Sequence, residues 1–293
     1  MTALTRRSAM LAVAAVASLA AFTPGMARAA DPVKLEVGYI PILAAAPLFI
    51  LEGEGWAREA GIDLKLTKFE SGPHAIQAMA AGKIDLLYAG VAPVLVARSK
   101  GADVSVIANS AVEEMVVASR GEFAKALGGK ATAESFAKFA ADTGRKVKIG
   151  TQPPGSVPDT VLRHWLFKVV KADPANVEII SMGIEKTQQA LLAGALDAAT
   201  IREPTVTVTQ KLDPNVGLLA TGAEMFPNQP GTVVAARGAV VKEHGEALTR
   251  LLKAHIRAVE QMMAFAKEIG SAEGTLPVAE AFDFRFYDAA AAK

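Results

Sequence analysis

The sequence predicts an α/β protein of two similar lobes, each a mainly parallel sheet flanked by helices, with a ligand cleft between the lobes. Three observations predict it. Strand-like and helix-like runs alternate, a long internal repeat relates the two halves, and helical runs stop at matching glycines. The repeat aligns Leu35-Glu36-Val37-Gly38-Tyr39-Ile40-Pro41 with Val147-Lys148-Ile149-Gly150-Thr151-Gln152-Pro153, a shift of 112 residues. The same shift carries Gln77-Ala78-Met79-Ala80-Ala81-Gly82-Lys83-Ile84-Asp85 onto Gln189-Ala190-Leu191-Leu192-Ala193-Gly194-Ala195-Leu196-Asp197. So long a period is too large for a solenoid and implies two lobes of one design.

Each copy reads as a β-run ending in glycine and a turn, a helix, a second strand, a second helix, and a short apolar strand with an Asp. In the first lobe this gives a helix over 44–60 stopping at Gly61, a strand over 62–69, a helix over 73–81 and a strand over 84–88. Gly82 and Gly194 suit the position just past a helix end, where positive φ is needed. Alternating strands and helices imply parallel sheets with right-handed crossovers, and such sheets take ligands beyond the carboxyl ends of their strands. Met115–Arg120 resembles Thr232–Arg237 outside the repeat register. These two segments read as β-runs near the crossings between lobes, open to pairing with each other. The expected organisation is a leader over 1–29, the first part of lobe 1 over 30–109 and lobe 2 over 110–222. Residues 223–293 then return to lobe 1, with an amphipathic helix over 242–268 and an Ala-rich end after Asp288. Two connections make a hinge, so closure over a ligand is the expected motion.

The first 29 residues read as an export signal. Arg6 and Arg7 form a positive start, Ala9 to Phe22 is apolar, and Ala27-Arg28-Ala29 offers small residues at a cleavage site. The apolar run is shorter than the roughly 20 residues of a spanning helix. Thr5-Arg6-Arg7 leaves both the Sec and twin-arginine routes open. Removing the leader takes away three arginines and no acids, so the whole chain's formal +1 becomes −2. A near-neutral chain has no broad electrostatic attraction to nucleic acid or an anionic membrane. With no cysteine, disulfides, thiol catalysis, zinc–thiolate sites and a lipidated N-terminal cysteine are excluded. The mature chain also lacks a second apolar span. A location free in a periplasm follows as the expectation.

The order of the pieces resembles the nitrate/sulfonate/taurine-type substrate-binding proteins of ABC importers, which have the type II periplasmic-binding fold. The residues that carry the resemblance are Val37–Pro41 with the Ala-rich turn to Pro47, Phe69–Pro73, Ala81–Asp85, Gly90–Pro93 and Val106–Asn109. In the second half they are Ile149-Gly150, Pro154–Ser156, Leu192–Gly194 and Glu203-Pro204. Together they span about residues 33 to 265. The chain departs from the pattern in carrying Arg202 before the Glu-Pro pair and in its proline-rich turn at 152–159. The resemblance implies a non-enzymatic binding protein that passes a small polar or anionic solute, of the sulfonate, nitrate or carboxylate kind, to inner-membrane permease subunits. It implies no cofactor. Two other readings stay open: a non-redox enzyme on the same scaffold, and a periplasmic sensor subunit.

The candidate ligand-binding residues are Tyr39, Ile40, Ser71, Gly72, Gly90, Val91, Asn109, Gln152, Gly155, Ser156, Val157, Arg202 and Glu203. Ser71-Gly72-Pro73 and Gly155-Ser156-Val157-Pro158 each open a helix. Such a serine is either a plain N-cap or part of a cleft-facing helix N-terminus that holds a polar head. Ser156 and Asp159 also fit a local capping pair. Tyr39 is either a buried strand tyrosine or a ring and hydroxyl offered to the ligand. Gly90 and Val91 allow close backbone approach. Asn109 sits where the chain crosses between lobes, as a donor or a turn residue. Arg202 offers planar binding to an oxyanion, Glu203 suits an amine or amide donor, and an exposed charged turn is the plain alternative. The four histidines show no metal spacing, and no phosphate loop or nucleophile elbow is present. Adjacent Glu113 and Glu114 point in opposite directions on a strand, which argues against shared acid–base work.

Overall fold

A computed structural model of the chain describes residues 31–128 and 130–268, with side chains through 264. The leader over 1–29 and the Ala-rich end lie outside the described residues. Two five-stranded sheets are present, ordered β2-β1-β3-β10-β4 and β7-β6-β8-β5-β9. In the first, β1 (Val33–Tyr39) pairs in parallel with β2 (Ile62–Lys68) and β3 (Leu86–Gly90). β10 (Thr232–Arg237) runs antiparallel to both β3 and β4 (Val104–Asn109). In the second, β6 (Val147–Thr151) pairs in parallel with β7 (Val177–Ser181) and β8 (Ala198–Ile201). β5 (Val116–Ser119) runs antiparallel to both β8 and β9 (Gly217–Ala220). Four strands of each sheet therefore share one direction, and the fifth opposes them from the same slot.

The repeat acquires a physical basis. Asp85 accepts a hydrogen bond from Glu36 N at 2.9 Å and donates its own N–H to Glu36 O. Asp197 does the same with Lys148, accepting at 2.8 Å. Each Asp thus closes the entry to its third parallel strand on the backbone of the first, and each binds an arginine, Arg237 or Arg145. Gly150 is required by close packing, since a Cβ would sit 2.4 Å from Leu196 Cδ1, and Gly38 is tightly packed, its Cβ falling 3.1 Å from Phe69 Cε2 and 3.2 Å from Leu87 Cδ1. Gly82 and Gly194 end their helices at φ +74° and +75°.

Several expectations are corrected. Met115–Arg120 and Thr232–Arg237 do not pair with each other, because they form the equivalent antiparallel strands β5 and β10 of opposite sheets. Pairing at the crossings involves the residues leading into them and Thr232 itself: Ser110 N and Ala111 N donate to Thr232 O, Gly231 N donates to Ala111 O, and Glu113 N donates to Gln229 O. The helix expected over 44–60 is broken into Ala46–Gly53 and Trp56–Glu59, since Gly55 adopts φ +76°. Strand β3 starts at Leu86 rather than 84, because Asp85 is spent on the turn. The last helix, Gly238–Glu268, is longer than expected and kinks at His244.

That helix covers the first sheet and buries His255, which is 2% exposed, beside Tyr88. Tyr88 Oη lies 3.3 Å from His255 Nδ1, and His255 Nε2 has no partner. Burial pushes the imidazole pKa down to about 4. The unfolded chain therefore binds more protons than the folded one as pH falls from about 6.5 to 4, and stability must fall with it. Between pH 7 and pH 4, His255 should cost about 3 kcal/mol of folding stability. Denaturant unfolding measured across that range for the native chain and for His255→Gln should show a shallower acid loss in the variant.

Candidate functional site

The carboxyl ends of β1, β3 and β4 in the first sheet and of β6 and β8 in the second meet around the crossings. Several contacts join the lobes there. Val157, first residue of helix Val157–His164, presses on Gly90, where a Cβ would lie 2.7 Å from Val157 Cγ2. Leu43 N donates to Glu203 O at 3.0 Å. Lys68 at the end of β2 reaches Glu185 at 2.9 Å and Glu70 at 3.3 Å. Hydrogen bonds to Glu185 and then Glu70 raise the Lys68 pKa above its ordinary value. Val91 packs against the cores of both lobes.

The centre of the site is Arg202, at the end of β8 and 5% exposed. Its Nη1 donates to Glu114 Oε1 at 2.8 Å, and the same oxygen accepts from Thr232 Oγ1 at 2.7 Å. Glu114 lies over Gly231, where a Cβ would come within 2.8 Å of the carboxylate. Arg202 Nε is buried without a partner. A cavity of about 10 Å³, room for one water, is lined there by Gln152, Thr187, Thr200, Arg202 and Thr205 with Met115, Ile184 and Ile201. Thr200 is held by Thr151, hydroxyl to hydroxyl, at 2.7 Å.

Several sequence candidates gather here and others serve different ends. Gln152 and Arg202 share the cavity, while Gly90, Val91 and Val157 form the contact between lobes. Ser71 does not cap helix Gly72–Ala80; its Oγ is buried with no partner, and Gly72 is pressed onto Pro93. Ser156 is the local cap, accepting from Asp159 N at 3.3 Å, while the Asp159 carboxylate turns to Arg163 at 2.9 Å. Asn109 ends β4 with its Oδ1 buried and unpartnered. Tyr39 is half-buried, edge-on to Phe49 at 5.0 Å between centroids. The Ile40 side chain is in the core of the first lobe at 0% exposure. Gly155, at φ +82°, faces a separate groove of about 700 Å³ between helices Gly72–Ala80 and Val91–Ser99. Glu203 turns its carboxylate to the N–H and hydroxyl of Thr207, one bond to each oxygen.

Sequence reasoning missed Glu114 as the partner of Arg202 and missed the lining threonines. Its own pattern held one clue: Glu114 precedes the apolar run of β5 by two residues, a costly place for a carboxylate without a cation. Glu113 and Glu114 do take different partners, Glu113 accepting from Asn228 N. Among the described residues no group of His, Asp or Glu could hold a metal. None of their helices is long and apolar enough to cross a membrane.

Comparison with known proteins is consistent with this geometry. The model of the NMT1-like family matches residues 28–272. A Brucella abortus (strain 2308) chain named as a candidate binding protein is 27% identical over 235 residues, covering 79% of this chain and 67% of that one. The periplasmic nitrate-binding protein NrtA of Synechocystis PCC 6803 superposes with a TM-score of 0.66 at 18% identity, over 78% of this chain and 61% of NrtA. The alkanesulfonate-binding protein SsuA of Xanthomonas axonopodis pv. citri, bound to MOPS, superposes with a TM-score of 0.64 at 20% identity, over 86% and 83%. Both structures share the two-lobed fold.

Removing one partner of a buried ion pair leaves the other uncompensated. Arg202→Ala should therefore destabilise the protein by about 3–5 kcal/mol in the absence of any solute. Chemical denaturation of the native chain, Arg202→Ala and Arg202→Met/Glu114→Leu checks this. The double variant should recover most of the loss, because it removes both charges.

Proposed function

The chain belongs to the NMT1-like family, and from that premise we propose that it is the solute-binding component of an ABC importer. It takes a small polar solute between its lobes, closes, and presents the closed form to permease subunits. The observation that supports this most directly is the meeting of two like sheets, ends inward, around a paired double crossing. Solutes bind such sheets beyond the strand ends, at the switch point, and two crossings leave closure as the soft motion. On this reading residues 1–29 direct export. Residues 30–109 with 223–293 form one jaw, and 110–222 form the other. On this reading the solute lies among Ser71, Asn109 and Arg202, which carry unpartnered buried polar atoms, Gln152 at the cavity wall, and Gly90, Val91 and Val157 at the contact between lobes.

Gly90 rests against Val157, and a solute that bridges the lobes shifts the population toward forms in which the lobes meet. The test takes protein that has been unfolded and refolded to strip any carried solute. A thermal-shift panel of small sulfonates, carboxylates, nitrate, amides and amino acids is then run. A true solute at 100 times its Kd adds about 2.7 kcal/mol of stability and should shrink the radius of gyration in small-angle scattering. Gly90→Ala should abolish that shrinkage by wedging the lobes at Val157, and Gly90→Ala/Val157→Ala should restore it. Binding with no change in radius would overturn the closure reading.

A further inference from the structure

We propose that Lys68, Glu70 and the start of helix Ile184–Leu192 form a latch across the mouth of the cleft, which holds the lobes together and makes their closure sensitive to ionic strength; this rests on the binding-protein reading above. Three consecutive residues of the second lobe meet the first lobe there. Gly183, the N-cap of that helix, lies beside Glu70, where a Cβ would come 3.6 Å from Glu70 Oε2. Ile184 packs against the core of the first lobe. Glu185 accepts from Lys68 Nζ at 2.9 Å, and Lys68 also pairs with Glu70 at 3.3 Å. A helix N-terminus favours a nearby carboxylate, so Glu70 is drawn to the second lobe as Lys68 is.

Position in the fold gives these contacts their leverage. β2 and β7, which lead into them, are edge strands, each three places from the strand that a crossing enters, β10 in one sheet and β5 in the other. At about 4.8 Å per strand the latch stands about 14 Å across each sheet from the hinge. It is also continuous with the site. Lys68 and Glu70 run directly into Ser71, whose Oγ is buried without a partner, while Ile184 and Thr187 of the latched helix line the cavity at Arg202. The side chains of Lys68, Glu70 and Glu185 are 44%, 47% and 64% exposed, so the latch is weak and open to screening. An exposed pair shifts an equilibrium by up to about fivefold, and the Debye length falls from about 30 Å at 0.01 M salt to about 3 Å at 1 M. Such a latch biases closure without preventing the opening that loading and release require.

The chain has no cysteine, so Lys83→Cys in the first lobe and Glu178→Cys in the second, both exposed positions, carry a pair of spin labels without background. Pulsed electron resonance then reads the distance between lobes in refolded, solute-free protein. At 0.01 M salt the chain should show a closed population, and the closed-to-open ratio should fall about two- to fivefold at 1 M. Lys68→Glu, which sets three carboxylates together, should open the lobes at low salt. Lys68→Glu/Glu185→Lys restores the charges of the cluster and should close them again. The unfolding midpoint should stay that of the native chain in each variant, because the three side chains are exposed; a purely structural role would move the midpoint and not the distance. A distance that neither salt nor Lys68→Glu alters overturns the latch. In that case a solute of the panel that still shortens the distance leaves the binding-protein reading standing, and failure of every solute to do so overturns that reading as well.

Discussion

The rest of the molecule depends on how the two chain crossings are held. Segments 110–113 and 229–232 bond to each other through their backbones, and Val91 N adds a bond to Gly231 O at 2.9 Å. Glu114 then fastens the crossings to the second lobe by accepting from Thr232 on one side and Arg202 on the other. Only glycine at 231 leaves room for that carboxylate. Gly222 is needed in the same way beside the crossing, where a Cβ would fall 2.0 Å from Glu113 O. One acidic side chain and two missing ones set where both sheets end relative to the hinge.

Each lobe repeats a single solution around this hinge. The aspartates at 85 and 197 bond the first strand's backbone, and the backbone N–H groups of Arg237 and Arg120 then bond Asp85 O and Asp197 O in turn. The strands that lead into those arginines, β10 and β5, therefore occupy one slot in two sheets. Their likeness in sequence reflects equivalence between lobes rather than contact across the hinge. This is why pairing them with each other failed although the likeness was real: local pattern reports what environment a strand occupies and is silent on which sheet supplies it.

Legibility in the sequence followed the range of the interactions. Gly38, Gly150, Gly82, Gly194 and the two aspartates were visible because a local turn or a tight strand–helix contact demands those residue types in a fixed register. The helix break at Gly55 had a local signal too, glycine two residues after Gly53, but both residues are tolerated inside helices and the pattern alone did not decide. The site was harder. Arg202 and Glu114 are 88 residues apart, and Lys68 and Glu185 are 117 apart. No period or motif links such pairs before the sheets are placed. Ser71 and Ser156 show the limit from the other side: equal-looking helix starts, of which only Ser156 forms a cap.

A resemblance to binders of oxyanions and a pair of positively charged residues near a cleft invite an easy conclusion about charge. The geometry argues against drawing it from residue types alone. An arginine is a receptor for an anion only while its charge is unspent, and the value of a guanidinium in a dry site depends on what already faces it. Here Glu114 fixes the hinge by taking one Nη1–H bond from Arg202 and setting a carboxylate against its charge. The same pair cannot both lock the crossings and present a free positive charge, so the demand of the hinge constrains the chemistry of the cleft. A relative that left its cleft arginine unpaired would need another means of holding its crossings, and the two solutions would select different solutes from one fold.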